Sequence, residues 1–162
     1  MLLSDREIRS TLARGYIEID PMPEDSQIQP ASVDLTLGSM GCIMADRCNG
    51  RHRLEPGEFV LATTRERIKL PPNIAGRVEG RSTYGRKGLL IHCTAGFIDP
   101  GFDGQITLEI KNLSRMDIHL REGDRICQIT FLQLSSPAER PYGHPGLGSK
   151  YQGQVGVTGA RL

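Results

Sequence analysis

Gln105-Ile106-Thr107-Leu108-Glu109-Ile110 alternates apolar and polar residues without a break. A period of two marks a β-strand with one buried face, because successive side chains leave opposite sides of the pleat. Ile106, Leu108 and Ile110 belong to one face; Gln105, Thr107 and Glu109 belong to the other. Similar segments recur on both sides. Upstream lie Ile17-Glu18-Ile19, Val33-Asp34-Leu35-Thr36-Leu37 and residues 59–62, 74–79 and 89–93; downstream lie residues 118–120 and 125–134. Turn-forming clusters separate them: Pro71-Pro72-Asn73, Asp99-Pro100-Gly101 and Arg121-Glu122-Gly123-Asp124. Short strands at close intervals predict an all-β barrel or sandwich. One N-terminal helix is added to it. Ser4 and Glu7 form a capping box, Ile8 and Leu12 share a face, Leu3 can staple to Ile8, and Gly15 supplies the stop.

Composition narrows the function. The chain has 162 residues, 24% charged and 38% hydrophobic, which fits one folded domain. Twenty Lys plus Arg against 19 Asp plus Glu leave a net charge of +1, so no general field draws in DNA or RNA. No apolar run approaches the roughly 18–20 residues of a membrane span. Met1-Leu2-Leu3-Ser4-Asp5-Arg6-Glu7 turns polar too early for a secretion signal. Cysteines at 42, 48, 93 and 127 include no Cys-x-x-Cys pair, and free thiols in the cytoplasm are expected. Residues 1–141 read as a single β domain. Residues 142–162, with six glycines, two tyrosines and one lysine, read either as a frayed terminus or as a flexible lid that closes on a ligand.

The residues that could carry chemistry cluster in three places. A zinc deaminase needs His-x-Glu with Pro-Cys-x-x-Cys. His52, His92, His119 and His144 are each followed two positions on by something other than Glu, so a zinc site is not expected. No phosphate-binding Walker loop or Gly-x-Ser-x-Gly elbow occurs. In Glu79-Gly80-Arg81-Ser82-Thr83-Tyr84-Gly85-Arg86-Lys87-Gly88, two arginines flank two hydroxyls, a set suited to phosphate oxygens. A solvated basic loop is the plainer reading. If Ser82 opens a helical turn, Arg86 lies one turn on beside it. Thr94-Ala95-Gly96 is small enough for a flat ring to rest on backbone, or it is simply a tight bend. His92 reads as a packed histidine or as a catalyst. Glu109 is either a solvated carboxylate or, if buried beside a ligand, a base with its pKa raised toward neutrality.

These segments together resemble the dCTP deaminase family of the dUTPase-like superfamily. The matching residues are Leu3-Ser4-Asp5-Arg6-Glu7-Ile8, Gln29-Pro30-Ala31-Ser32-Val33-Asp34-Leu35, Gly80-Arg81-Ser82-Thr83-Tyr84-Gly85-Arg86, Thr94-Ala95-Gly96-Phe97-Ile98-Asp99-Pro100-Gly101, Ile106-Thr107-Leu108-Glu109, Pro141-Tyr142-Gly143 and Lys150-Tyr151-Gln152-Gly153-Gln154. The resemblance implies a mainly β fold, the β-clip or distorted barrel with a short N-terminal helix. It also implies a homotrimer with active sites at subunit interfaces. It implies dCTP as substrate with Mg2+ on the triphosphate, no zinc, and dTTP as a candidate inhibitor. By motif position, Arg81, Ser82, Thr83 and Arg86 hold phosphates, with Ser82 also near the reacting water, and Tyr84 and Gly85 complete that loop. Asp99 meets the deoxyribose. Thr107, Leu108 and Glu109 lie by the cytosine, and the Ala95 backbone helps to hold water. Tyr142, Lys150 and Gln154 close over the triphosphate. Glu109 is the expected proton-transfer residue.

The family divides by product. Some members release dUTP, and others cleave it to dUMP and diphosphate. Ala95 and Gly96 resemble the second group, because a small residue at 96 leaves room for a water in line with the α-phosphorus, and Asp99 could orient it. A deaminase that stops at dUTP, a dUTPase alone and a non-catalytic nucleotide-binding domain stay open on sequence. Thr83 replaces a usual serine, Tyr84 replaces an aliphatic residue, and the stretch 38–58 is shorter than in many members.

Overall fold

The computed structural model describes residues 1–41 and 51–162; Cys42 and Cys48 lie outside them. Helix α1 is Asp5–Ala13. The strands are β1 Glu18–Asp20, β2 Ile28–Gln29, β3 Ser32–Met40, β4 Arg51–Leu54, β5 Phe59–Lys69 and β6 Ile74–Gly80. A short helix, α2 Ser82–Gly85, precedes β7 Leu89–Leu90, β8 Phe97–Ile98, β9 Asp103–Asn112, β10 Ile118–Arg121 and β11 Arg125–Gln133. The main sheet runs β7-β9-β5-β3-β11-β6-β8, with β1 added to β5 and β2 to β3, and every pairing is antiparallel. A separate ribbon joins β10 to β4.

The expected N-terminal helix is present with its cap. Ser4 Oγ accepts the Glu7 backbone N–H and donates to the Glu7 carboxylate at 2.9 Å. Ile8 and Leu12 are buried against the sheet. Burying such aliphatic side chains stabilises by roughly 1.5–3 kcal/mol each, more than the helix propensity of nine residues supplies.

β9 obeys its alternation from end to end. Ile106, Leu108 and Ile110 are buried, and residues 105, 107 and 109 are half-exposed on the other face. β3 departs from its alternation. Asp34 is buried although it lies on the nominally outward face. β3 lies between β5 and β11 in mid-sheet, and Arg81 covers that face of it. The strand expected over 89–93 is shorter, Leu89–Leu90. The Cys93 N–H donates to the Glu109 side chain at 3.0 Å instead of to a ladder carbonyl.

Candidate active site

β9 and β5 build one wall of a cavity of about 520 Å³. Their register sets Leu61 opposite Glu109 and Thr63 opposite Thr107. Thr107 and Glu109 share a face of β9, as the period of two requires, and both line the cavity. The Cys93 amide holds Glu109 Oε2, and Oε1 has no hydrogen-bond partner among the described residues. Thr107 Oγ1 is buried, also without a partner among the described residues. A buried hydroxyl left unpaired costs about 1–3 kcal/mol, so a polar ligand that fills it has a favourable term waiting. Ala95, Ile98 and Asp99 from the loop and β8 form the next side of the cavity, with Phe59, Phe97 and Phe102 as its aromatic lining. Phe59 is 46% exposed and Phe97 is 56% exposed. Aromatic rings open at a cavity mouth are a signal of binding that the motifs alone did not single out.

The tail closes the far side. Tyr142 donates its N–H to Pro100 at 2.8 Å and sets its ring 5.9 Å from that of Phe102. Gly153 N–H reaches Asp103 O at 2.7 Å, and Gln105 N–H reaches Gln154 O at 3.0 Å. Gln154 Nε2 donates to Gln105 O at 2.6 Å, so this side chain is spent on the body of the domain, although it also borders the cavity. Gly104 permits this close approach. Its φ is +156°, and a Cβ there would come 3.0 Å from Gln154 O. A second hollow of about 670 Å³ continues past Asp99, Tyr142 and Tyr151 and is flanked by Arg140 and Lys150. Lys150 Nζ donates to Arg161 O at 3.0 Å.

The basic motif lies elsewhere. Ser82 does open a helical turn, and the Arg86 N–H reaches Ser82 O at 2.9 Å. Ser82, Thr83, Gly85 and Arg86 are exposed, and none lines the cavity of its own chain. Tyr84 turns inward and packs on the core as the anchor of α2. Burial, and then the neighbouring Asp124 carboxylate, push its pKa up to about 12. Leu108 faces the core, so only its backbone can serve a ligand in the cavity. Gly96 is enclosed: a Cβ there would lie 2.7 Å from the His92 ring and 2.9 Å from Val78 O. Its small size therefore serves the packing of the loop itself. His92, read as packed histidine or catalyst, fills that space, with Nδ1 buried and unpaired.

The fold has solved counterparts. A dCTP deaminase structure from Agrobacterium tumefaciens superposes with a TM-score of 0.65 at 24% identity, covering 80% of this chain and 47% of that one. An EIAV dUTPase gives 0.57 at 26% identity, covering 80% and 96%. A dUTPase of S. aureus phage phi11, described with a structural Mg(II) ion, gives 0.58 at 19%, covering 75% and 93%. The architecture is thus the mainly β, dUTPase-like one. The dCTP deaminase-like family model matches residues 2–53 and 46–134, in two pieces that overlap at residues 46–53. Relatives named dCTP deaminase, dUMP-forming, match at 45% identity in Methanosphaera stadtmanae (99% of this chain, 93% of the relative) and at 47% in Rhodococcus opacus (98% and 94%). The chain belongs to the dCTP deaminase-like family.

Proposed function

We propose that this protein deaminates dCTP at cytosine C4 and then hydrolyses the resulting dUTP to dUMP and diphosphate. The observation that carries the reading is the Glu109 carboxylate, pinned by the Cys93 amide beside the unfilled Thr107 hydroxyl on a cavity wall. The dUMP-forming name shared by relatives over nearly the whole chain supports the second step. With Oε2 occupied, Oε1 takes a proton from water as its oxygen bonds to C4. The carboxyl passes that proton to N3, then takes the remaining hydroxyl proton of the tetrahedral intermediate and delivers it to N4 as the C4–N4 bond breaks, releasing ammonia and leaving the C4 carbonyl. Thr107 and the Ala95 backbone hold the ring and the water. Asp99, which lines both hollows, meets the deoxyribose and orients the second water toward the α-phosphorus, with Ala95 and Gly96 forming the loop beside it.

The triphosphate arrives with Mg2+, which offsets part of its charge. Among the described residues no three His, Cys, Asp or Glu side chains are grouped as a cage for a metal ion. The phosphates are held by Arg81, Ser82, Thr83 and Arg86 of a neighbouring copy in a homotrimer, since none of these residues lines the cavity of its own chain. Residues 142–162 act as a lid, with Tyr142, Lys150 and Gln154 on the triphosphate side, and closure excludes water from Glu109. Free thiols at Cys93 and Cys127 suit the reducing cytoplasm, and no helix among the described residues is long and apolar enough to cross a membrane.

The test is product analysis with Mg2+, with dCTP and dUTP offered separately. Ammonia, dUMP and diphosphate from dCTP are expected. Ammonia with accumulating dUTP would leave a deaminase only, and no ammonia from dCTP would remove the deaminase reading.

A further inference from the structure

The Asp34 side chain is 2% exposed, and its Oδ1 lies 3.3 Å from Arg81 Nε. Its other oxygen, Oδ2, is buried and has no hydrogen-bond partner among the described residues. A carboxylate is costly in such a place unless it is paired. Burial indeed raises the Asp34 pKa, against the opposing pull of Arg81 and Arg125. Arg81 is held a second time, because its Nη1 donates to Arg125 O at 3.1 Å. Arg125 is not free to compete for the carboxylate. Its own guanidinium is turned to Ser26 O at 2.9 Å, to Ser26 Oγ at 2.5 Å and to Glu24 at 3.4 Å. Arg81 Nη2 makes no hydrogen bond among the described residues, and the side chain is 34% exposed.

We propose that Asp34 is a positioning residue. Together with the Arg125 carbonyl it fixes the inner edge of the Arg81 guanidinium, so that the outer edge is presented ready-made to a nucleotide phosphate. This rests on the reading of Arg81 as a phosphate ligand. Ordering a long side chain at the moment of binding costs affinity, and an arginine already locked in place avoids most of that cost. The alternative has the opposite sign. A buried carboxylate beside a phosphate site repels the phosphate, so if Asp34 were only a structural charge, neutralising it would leave or improve dCTP binding.

The experiment compares Kd for Mg2+–dCTP with Kd for deoxycytidine, which lacks the phosphates. The full-length chain carries Glu109→Gln to prevent turnover. Arg81→Ala tests the parent reading: dCTP affinity should fall by tenfold or more while deoxycytidine affinity holds. If it does not fall, Arg81 is no phosphate ligand, and both claims go. Given that loss, Asp34→Asn should weaken dCTP by roughly 3- to 10-fold with deoxycytidine unchanged, and combining it with Arg81→Ala should add nothing further. Unchanged or tighter dCTP binding in Asp34→Asn, or an equal loss for both ligands, overturns the positioning role alone. Arg81→Lys covers the case in which Asp34→Asn does not fold. Lysine keeps the charge but not the fork, so it should lose nearly as much as alanine; lysine binding dCTP as well as arginine overturns the proposal.

Discussion

Glu109, the proposed proton-transfer residue, is held by one backbone donor. The carboxylate lies on a strand face that is neither core nor open solvent, and the Cys93 amide fixes one of its two oxygens. Glu109→Gln keeps the shape and an oxygen for that amide but removes the base. It should bind Mg2+–dCTP within a few-fold of wild type and release ammonia at least about 10²–10⁴ times more slowly. Ammonia assay beside a binding titration separates the two effects. Deamination at near the wild-type rate would remove Glu109 from proton transfer. This residue was legible in the sequence because alternation over 105–110 places it beside Thr107 and away from the core. Asp34 was not legible in the same way. Its alternation points outward, and its burial depends on an arginine 47 positions away in the chain. Gly96 was legible as small but not for what it touches, since the His92 ring meets it only once the loop has folded back.

At the scale of elements, every segment expected to be a strand contains one, while the short β2, β4 and β8 were not foreseen. β9 and α1 match their patterns because each buries one face against the core, so the sequence period and the burial period agree, whereas β11 buries both Ile126 and Cys127 where its register shifts. β8 is two residues long and carries no pattern of its own; it exists because Gly76 and Arg77 of β6 pair with it. The tail is the hardest case. Its glycine content reads as disorder or lid alike, and its contacts are chiefly backbone and amide hydrogen bonds to β9, which leave no hydrophobic period. Gly104 is the point where that contact can be broken. Gly104→Ala meets Gln154 backbone at 3.0 Å and imposes a φ of +156° on an L side chain. A strained residue of this kind costs on the order of 1–3 kcal/mol, which relaxes either within β9 or by lifting the tail. With the tail as a lid, the easier course is lifting. Trypsin should then cut after Lys150 at least several-fold faster, and kcat/KM for dCTP should fall by a similar factor. Unchanged cleavage and unchanged kcat/KM would mean that this contact is not the closed position of a lid.

At the scale of the whole molecule, the proposed reaction draws on two places that one chain does not bring together in one cavity. The cavity has Glu109, a set of apolar contacts and the tail, but the exposed hydroxyls of α2 and Arg86 at its end lie outside its lining. A triphosphate is highly charged, and a cavity lined by Phe59, Leu61, Phe97 and Ile106 does not bind that charge by itself. If α2 holds the phosphates, a second copy that brings its α2 to the cavity mouth would complete the site, and cyclic symmetry would then complete all copies at once. This arrangement makes a prediction no single-chain site can share. Chains with Glu109→Gln and chains with Arg86→Ala should each be nearly inactive when pure. Unfolded together and refolded at equal amounts, they form mixed trimers in which some sites draw Glu109 from one variant and Arg86 from the other. Each contribution is intact half the time, so about a quarter of the sites should be whole and activity should return to about a quarter of wild type. Ammonia release from dCTP measures it, with mass spectrometry of the intact assembly to verify that the chains have mixed. Mixed assemblies that stay as inactive as the pure variants would place Glu109 and Arg86 in the same chain's site, and the cavity would then have to open to its own α2.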